Sequence, residues 1–255
     1  MKYLGILLCM LTCTMLYANN KTLKSIDELT TAEKESQRQA IRYKRTGGFI
    51  VRREPNAGSF AFINTQTKVL PDVFTNEIKD ICRICKIDYF IKNQEGHISP
   101  HTARKAFIES KGNAALFITE IPEMLETILI APESRWGIIN VSALQKDSPS
   151  KEVLEKRLKR EIWRGFSMVA GSHCTEMVHC LLNPVLSLRD LDEIDGNTFS
   201  PEPLSRMAKN LRKMGITPYY RCTYKSACRQ GWAPPSTNDV QKAIWDEVKK
   251  KANKK

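Results

Sequence analysis

Apolar residues recur along this chain with two periods, and the switches between them mark its elements. In "SPSKEVLEKRLKREIWRGFSMVA", Leu154, Leu158, Ile162, Phe166 and Val169 return every three or four residues. That spacing predicts one long helix with a single buried stripe, capped by Ser148 with Pro149 at its first position and ending near Ala170-Gly171. "GGFIVRREPNAGSFAFINTQTKVLP" alternates apolar and polar positions around Asn56-Ala57-Gly58, the pattern of strand–turn–strand. "VFTNEIKDICRICKIDYFI" is helical through Cys85 and strand-like from Tyr89 to Ile91, with a turn at Gln94 to Gly96. "SPHTARKAFIESKGNAALFITEIPEML" repeats the order: helix, a Gly112-Asn113 break, then a buried strand from Ala114 to Thr119. "TILIAPESRWGIINVSAL" holds two more apolar runs about Pro132-Glu133-Ser134, and "STND" caps a last helix whose apolar side carries Ile244, Trp245 and Val248. Strands alternating with helices predict an α/β (α+β) layer, helices packed on a mixed sheet.

The first residues stand outside that layer. Lys2 precedes an apolar run from Tyr3 to Tyr17 that is short for a membrane span and is followed at once by Asn19, Asn20 and Lys21. It reads as an export signal cleaved after Ala18, with lipoprotein processing at Cys13 the weaker alternative, and it leaves no membrane span in the mature chain. Residues 19–45, with Ile26, Leu29 and Ala32 as an amphipathic patch, form a polar lead-in. One domain is expected over 46–235, then a C-terminal helix and lysine-rich tail over 236–255.

Export changes the reading of the cysteines. Cys82, Cys85, Cys174, Cys180, Cys222 and Cys228 remain as three local pairs, and an oxidising compartment favours disulfides, above all Cys174–Cys180 and Cys222–Cys228. "CRIC" at 82–85 closes a helix, whereas a redox C-x-x-C opens one, so a structural bridge or two packed thiols is expected. The net charge of +12 is partly a tail, six lysines between Lys242 and Lys255. It suits a solubilising end, or contact with nucleic acid or another polyanion.

One stretch carries candidate chemistry. A zinc protease needs two histidines a helical turn apart and a glutamate that deprotonates the metal-bound water. From Trp163 to Pro203 the chain resembles the archaemetzincins, a metzincin family with the pattern H-E-x-x-H-x-x-G-x-x-H-C, four residues, C-x-M, seventeen residues, C-x-x-C. Aligned without gaps, Trp163 stands for the first histidine, Arg164 for the glutamate, Ser167 for the second histidine and Ala170 for the glycine. His173 and Cys174 match the H-C pair, Cys180 follows, Leu182 replaces the methionine, and "SPEP" at 200–203 stands where C-x-x-C belongs. "AALFITEIPEML" and "WGIINVSAL" look like the family's threonine–acid strand and its edge strand, so the resemblance spans Gly47 to Gly215. It implies a metzincin-like mixed sheet with a long former active-site helix.

The departures decide what the resemblance implies for chemistry. Trp163 and Ser167 supply no imidazole, and Arg164 puts a cation where a base belongs. A pseudoenzyme is therefore expected, with no cofactor, binding a peptide or protein partner under its edge strand. The alternatives are an active zinc peptidase with rebuilt ligands, drawn from His173, Cys174, His179 and Cys180, and a basic polyanion-binding protein. His97 and His101 lie in a polar loop and read as solvated. Arg164 is expected near the cleft floor, paired with Glu161 three residues back or holding a ligand's carboxylate.

Overall fold

The structure, a computed structural model, describes residues 31–65, 71–175, 177, 180–194 and 199–252. The expected export signal and His179 lie outside the described residues. In chain order the elements begin with α1 (Thr31–Thr46), β1 (Phe49–Arg52), β2 (Ser59–Asn64), α2 (Pro71–Cys85) and β3 (Asp88–Asn93). Next come α3 (Pro100–Ser110), β4 (Ala114–Thr119), β5 (Ile128–Ala131), β6 (Trp136–Asn140), α4 (Val141–Leu144) and α5 (Lys151–Val169). The last are α6 (Leu188–Glu193), α7 (Pro201–Lys213), β7 (Tyr220–Thr223), α8 (Tyr224–Arg229) and α9 (Asp239–Ala252).

They form two compact units. The larger, Arg52–Tyr220, holds a five-stranded sheet in the order β3-β2-β4-β6-β5. Strands β3, β2, β4 and β6 run parallel, and β5 is an antiparallel edge paired with β6 from Ile128↔Ile139 to Ala131↔Trp136. The central strands β4 and β6 are buried at every residue, as expected of parallel strands covered on both faces. Alternate side chains feed two cores. Phe60, Phe62, Leu116, Ile118 and Ile139 meet α2 and α5 on one face, while Ala61, Ile63, Ala115, Phe117 and Ile138 face α3 on the other.

The apolar stripe of α5 behaves as its period predicts: Leu158, Ile162, Phe166 and Val169 are fully buried. The helix sits close to the sheet at Gly137, where an added Cβ would lie 2.8 Å from Val169 Cγ2 and from Ile130 Cδ1.

Two expectations are corrected, and a third is borne out with an added pairing. The cap of α5 is Ser150, whose hydroxyl accepts from the Val153 N–H, and Ser148 instead takes a left-handed turn at φ 53°. The expected strand–turn–strand is present as β1 and β2, and the two strands do not pair with each other: β1 pairs with β7, and β2 lies between β3 and β4. "WGIINVSAL" is not the edge, because β5 folds back over β6 and takes that place.

The second unit comprises the described residues up to Val51 together with Arg221 onward, so Phe49–Val51 and Arg221–Pro235 cluster with the termini rather than with the sheet. Its core is Tyr224, Cys228 and Ile244, with Trp245 and Val248 of the last helix packed against them.

Candidate functional site

Helix α5 presents the former motif positions, and its side chains turn to structural work. Trp163 donates its indole N–H to Glu77 Oε2 at 2.8 Å and packs on Phe199 with ring centroids 5.6 Å apart. Ser167 is buried and donates its hydroxyl back to the Trp163 carbonyl at 2.7 Å. Arg164 is 2% exposed and donates to the carbonyls of Leu181 at 3.0 Å and Asn183 at 2.6 Å. Its Nε lies 3.5 Å from Glu161 Oε2, a charge contact too long for a good hydrogen bond, and Glu161 Oε1 accepts from Thr127 at 2.8 Å. Arg164 is thus an interior brace rather than a cleft-floor residue.

The same device recurs along the helix. Arg157 and Arg160 are also buried. Arg157 bonds Asp147, Asp192 and the Leu144 carbonyl, and Arg160 donates to the carbonyls of Leu191, Asp192 and Ile194. Arginines at 157, 160 and 164 share a helical face by spacing. Here Arg160 and Arg164 satisfy backbone carbonyls of segment 181–194, and Arg157 bonds the Asp192 carboxylate of the same segment.

His173 lies elsewhere. At the end of α5 the residue that turns the chain is Gly171 at φ 82°, one position beyond the expected Ala170. A Cβ there would stand 2.1 Å from Asn210 Nδ2, which donates to the Gly171 carbonyl at 3.3 Å. This contact holds α7 against the helix end and leaves His173 exposed in a groove of about 540 Å³. Glu133 and Arg135, from the turn after β5, line it with Arg206, Lys209 and Lys213 of α7. Arg206 pairs with Glu202, whereas Arg135, Lys209 and Lys213 form no ion pair among the described residues. The i, i+3, i+7 spacing of the α7 cations was visible in the sequence. Their convergence with Arg135 and His173 was not.

The former motif positions Trp163, Arg164 and Ser167 supply no zinc ligand set. Trp163 lines a separate small pocket with Glu77, Lys159 and Arg160, away from His173, and the groove around His173 is cationic. Among the described residues no three of His, Cys, Asp and Glu converge. Cys174 is exposed beside His173, and Cys180 is buried with Sγ 3.9 Å from Ser200 Oγ; His97 is exposed in its loop, whereas His101, expected in the same loop, is exposed in the first turn of α3.

All six cysteines among the described residues are free thiols in this structure, so the expected bridges Cys174–Cys180 and Cys222–Cys228 are not formed in it. Cys222 instead donates to the Thr223 carbonyl at 3.3 Å. Burial pushes the Cys82 thiol far up, helped by the neighbouring Cys85, and pushes Cys85 up to about 11. We therefore expect brief alkylation of the native, reduced protein near neutral pH to modify Cys174 and spare Cys82 until the chain is unfolded. Peptide mass spectrometry reads this directly, and equal labelling of the two would contradict their placement.

No protein-family model and no curated protein matches the chain. Among solved structures, archaemetzincin from Methanopyrus kandleri is similar with a TM-score of 0.50 and 13% identity, over 63% of this chain and 98% of that one. A zinc-dependent peptidase from Methanocorpusculum labreanum is similar with a TM-score of 0.45 and 13% identity, over 59% of this chain and 100% of its own. At such identity the first likeness is one of fold, and the chain accordingly carries an archaemetzincin-like mixed sheet with packed helices.

Proposed function

We propose that this protein is a non-catalytic member of the peptidase fold that binds an extended acidic peptide or protein segment. The observation that carries the reading is the edge strand β5, which among the described residues pairs only with β6 and leads directly into the cationic groove around His173. An extended segment adds to such an edge through main-chain hydrogen bonds. Its carboxylates then meet Arg135, Lys209 and Lys213, whose donors form charge-assisted bonds. In place of the family's base and imidazoles, α5 offers a buried guanidinium, an indole and a hydroxyl bonded to its own helix. With the apolar run from Tyr3 to Tyr17 as leader, the same reading places the protein outside the cytoplasm.

The test is fluorescence anisotropy with a labelled, extended glutamate-rich peptide, alongside mass spectrometry of the same peptide after incubation with zinc. Binding is expected to weaken about tenfold or more in Lys209→Glu/Lys213→Glu and to fall with added salt, while the peptide stays intact. Cleavage abolished by a chelator would replace this reading with a rebuilt metallopeptidase. Unchanged affinity in the charge-reversed variant would remove the groove from it.

A further inference from the structure

The terminal unit holds a larger cavity, about 770 Å³, which the peptide reading does not use. Its walls are two helices with basic faces. Arg38, Arg42 and Arg45 of α1 stand at i, i+4 and i+7, on one side of the helix, and Lys225 and Arg229 of α8 stand at i and i+4. Ile41 and Ile244 contribute apolar surface. With Lys44, six cations line this space against a single carboxylate, Glu247.

That carboxylate is already engaged. Glu247 pairs with Lys225 at 3.0 Å and with Lys251 at 2.7 Å. Arg42 stacks over the Phe49 ring, 5.0 Å from its centroid. Arg38, Arg45 and Arg229 form no ion pair among the described residues, and all three are exposed. Like charges one helical turn apart destabilise the helix that carries them. Both α1 and α8 bear such pairs, Arg38 with Arg42 and Lys225 with Arg229, and they point into one volume. A solvated face has no need to gather guanidiniums from two helices around a cavity of the size that holds small ligands.

We propose that this cavity binds a phosphoanion bearing two or more phosphate groups, gripped between α1 and α8 by Arg38, Arg45 and Arg229. Guanidinium forks match phosphate oxygens in pairs. The surplus of positive charge exceeds what an isolated carboxylate neutralises, whereas a ligand of dense negative charge relieves the repulsion within both helices at once. The ligand's source is either a free polyphosphate or a phosphorylated lipid headgroup. The shared chemistry is the clustered phosphate.

The experiment is calorimetric titration of the protein with inorganic tripolyphosphate at low salt, with thermal melts run in parallel. We expect binding that raises the melting temperature and weakens with salt. Arg38→Ala/Arg229→Ala should lose about tenfold or more in affinity, since each lost charge-assisted pair is a substantial part of such binding. Lys92→Ser/Lys146→Ser, exposed and outside both the cavity and the groove, removes the same net charge from the other unit and should leave tripolyphosphate affinity within about twofold. Should the alanine variant lose its fold, Arg38→Lys/Arg229→Lys keeps the charge and removes the forks: weaker binding supports the site, and wild-type affinity overturns it. Vesicles containing phosphatidylinositol bisphosphate separate the sources. Vesicle binding competed by tripolyphosphate assigns the headgroup, and tripolyphosphate binding without vesicle binding assigns a soluble ligand. No binding of tripolyphosphate, or an equal loss in the lysine control, overturns the proposal without touching the peptide reading.

Discussion

Replacing Arg164 with methionine is expected to destabilise the protein by about 3–5 kcal/mol, because it leaves a buried charge without its partner. Glu161 is fully buried, and its two contacts are Thr127 and Arg164. The substitution also strands the Leu181 and Asn183 carbonyls that Arg164 now satisfies. Urea denaturation measures the loss, and a change under about 1 kcal/mol would mean that water reaches this pair.

The loss should also depend on pH. Burial raises the Glu161 carboxyl above its ordinary value, and Arg164 and Thr127 oppose the rise. A carboxyl whose folded pKa lies above its unfolded value contributes stability that is full below the unfolded pKa, about 4.3, and is lost as pH climbs through the folded one. Without Arg164 the folded pKa rises further. Arg164→Met should therefore be more costly at pH 8 than at pH 5. Adding Glu161→Gln should recover much of the difference and flatten the pH dependence. A variant equally destabilised at both pH values would refute the coupling.

Phe166→Ala is the second large effect, about 3–5 kcal/mol. Phe166 is fully buried at the centre of the α5 stripe, with ring centroids 4.9 Å from Phe60 and 6.2 Å from Phe62. Truncation removes apolar contact and leaves a cavity between helix and sheet that strands covered on both faces cannot close. Phe166→Leu should lose distinctly less. Denaturation midpoints of the two variants decide it, and equal losses would show that the site collapses rather than holding a cavity.

Both effects fall on α5, the helix over which the chain resembles the metzincin motif. Here that helix holds the interior together, through an apolar stripe on one side and three buried arginines on another. The proposed peptide site lies instead at the edge of the sheet and beyond the helix end, at residues that come from separate parts of the chain.

By itself the sequence determined the local elements that burial writes into a period. The stripe from Leu154 to Val169, the helix through Cys85 followed by a strand, and the buried run Ala114–Thr119 all stand where the pattern predicts them. The Glu161–Arg164 pair was legible too, because three residues make one helical step. Pairing was decided by tertiary structure. Nothing local tells β1 to join β7 rather than β2, or β5 rather than β6 to become the edge, since a strand's pattern shows which faces are covered and not by whom. Ser150 replaces Ser148 as cap because the backbone turns left-handed at the earlier serine. The same holds for the sites. Arginines 157, 160 and 164 share a helical face by spacing, but only segment 181–194 brings them the Asp192 carboxylate and the backbone carbonyls they bond, and Arg135, His173 and Lys213 become neighbours only when three distant segments fold into one groove. A period along the chain encodes burial. The partner of a polar side chain is set by contacts between segments far apart in sequence, and only the folded chain brings those together.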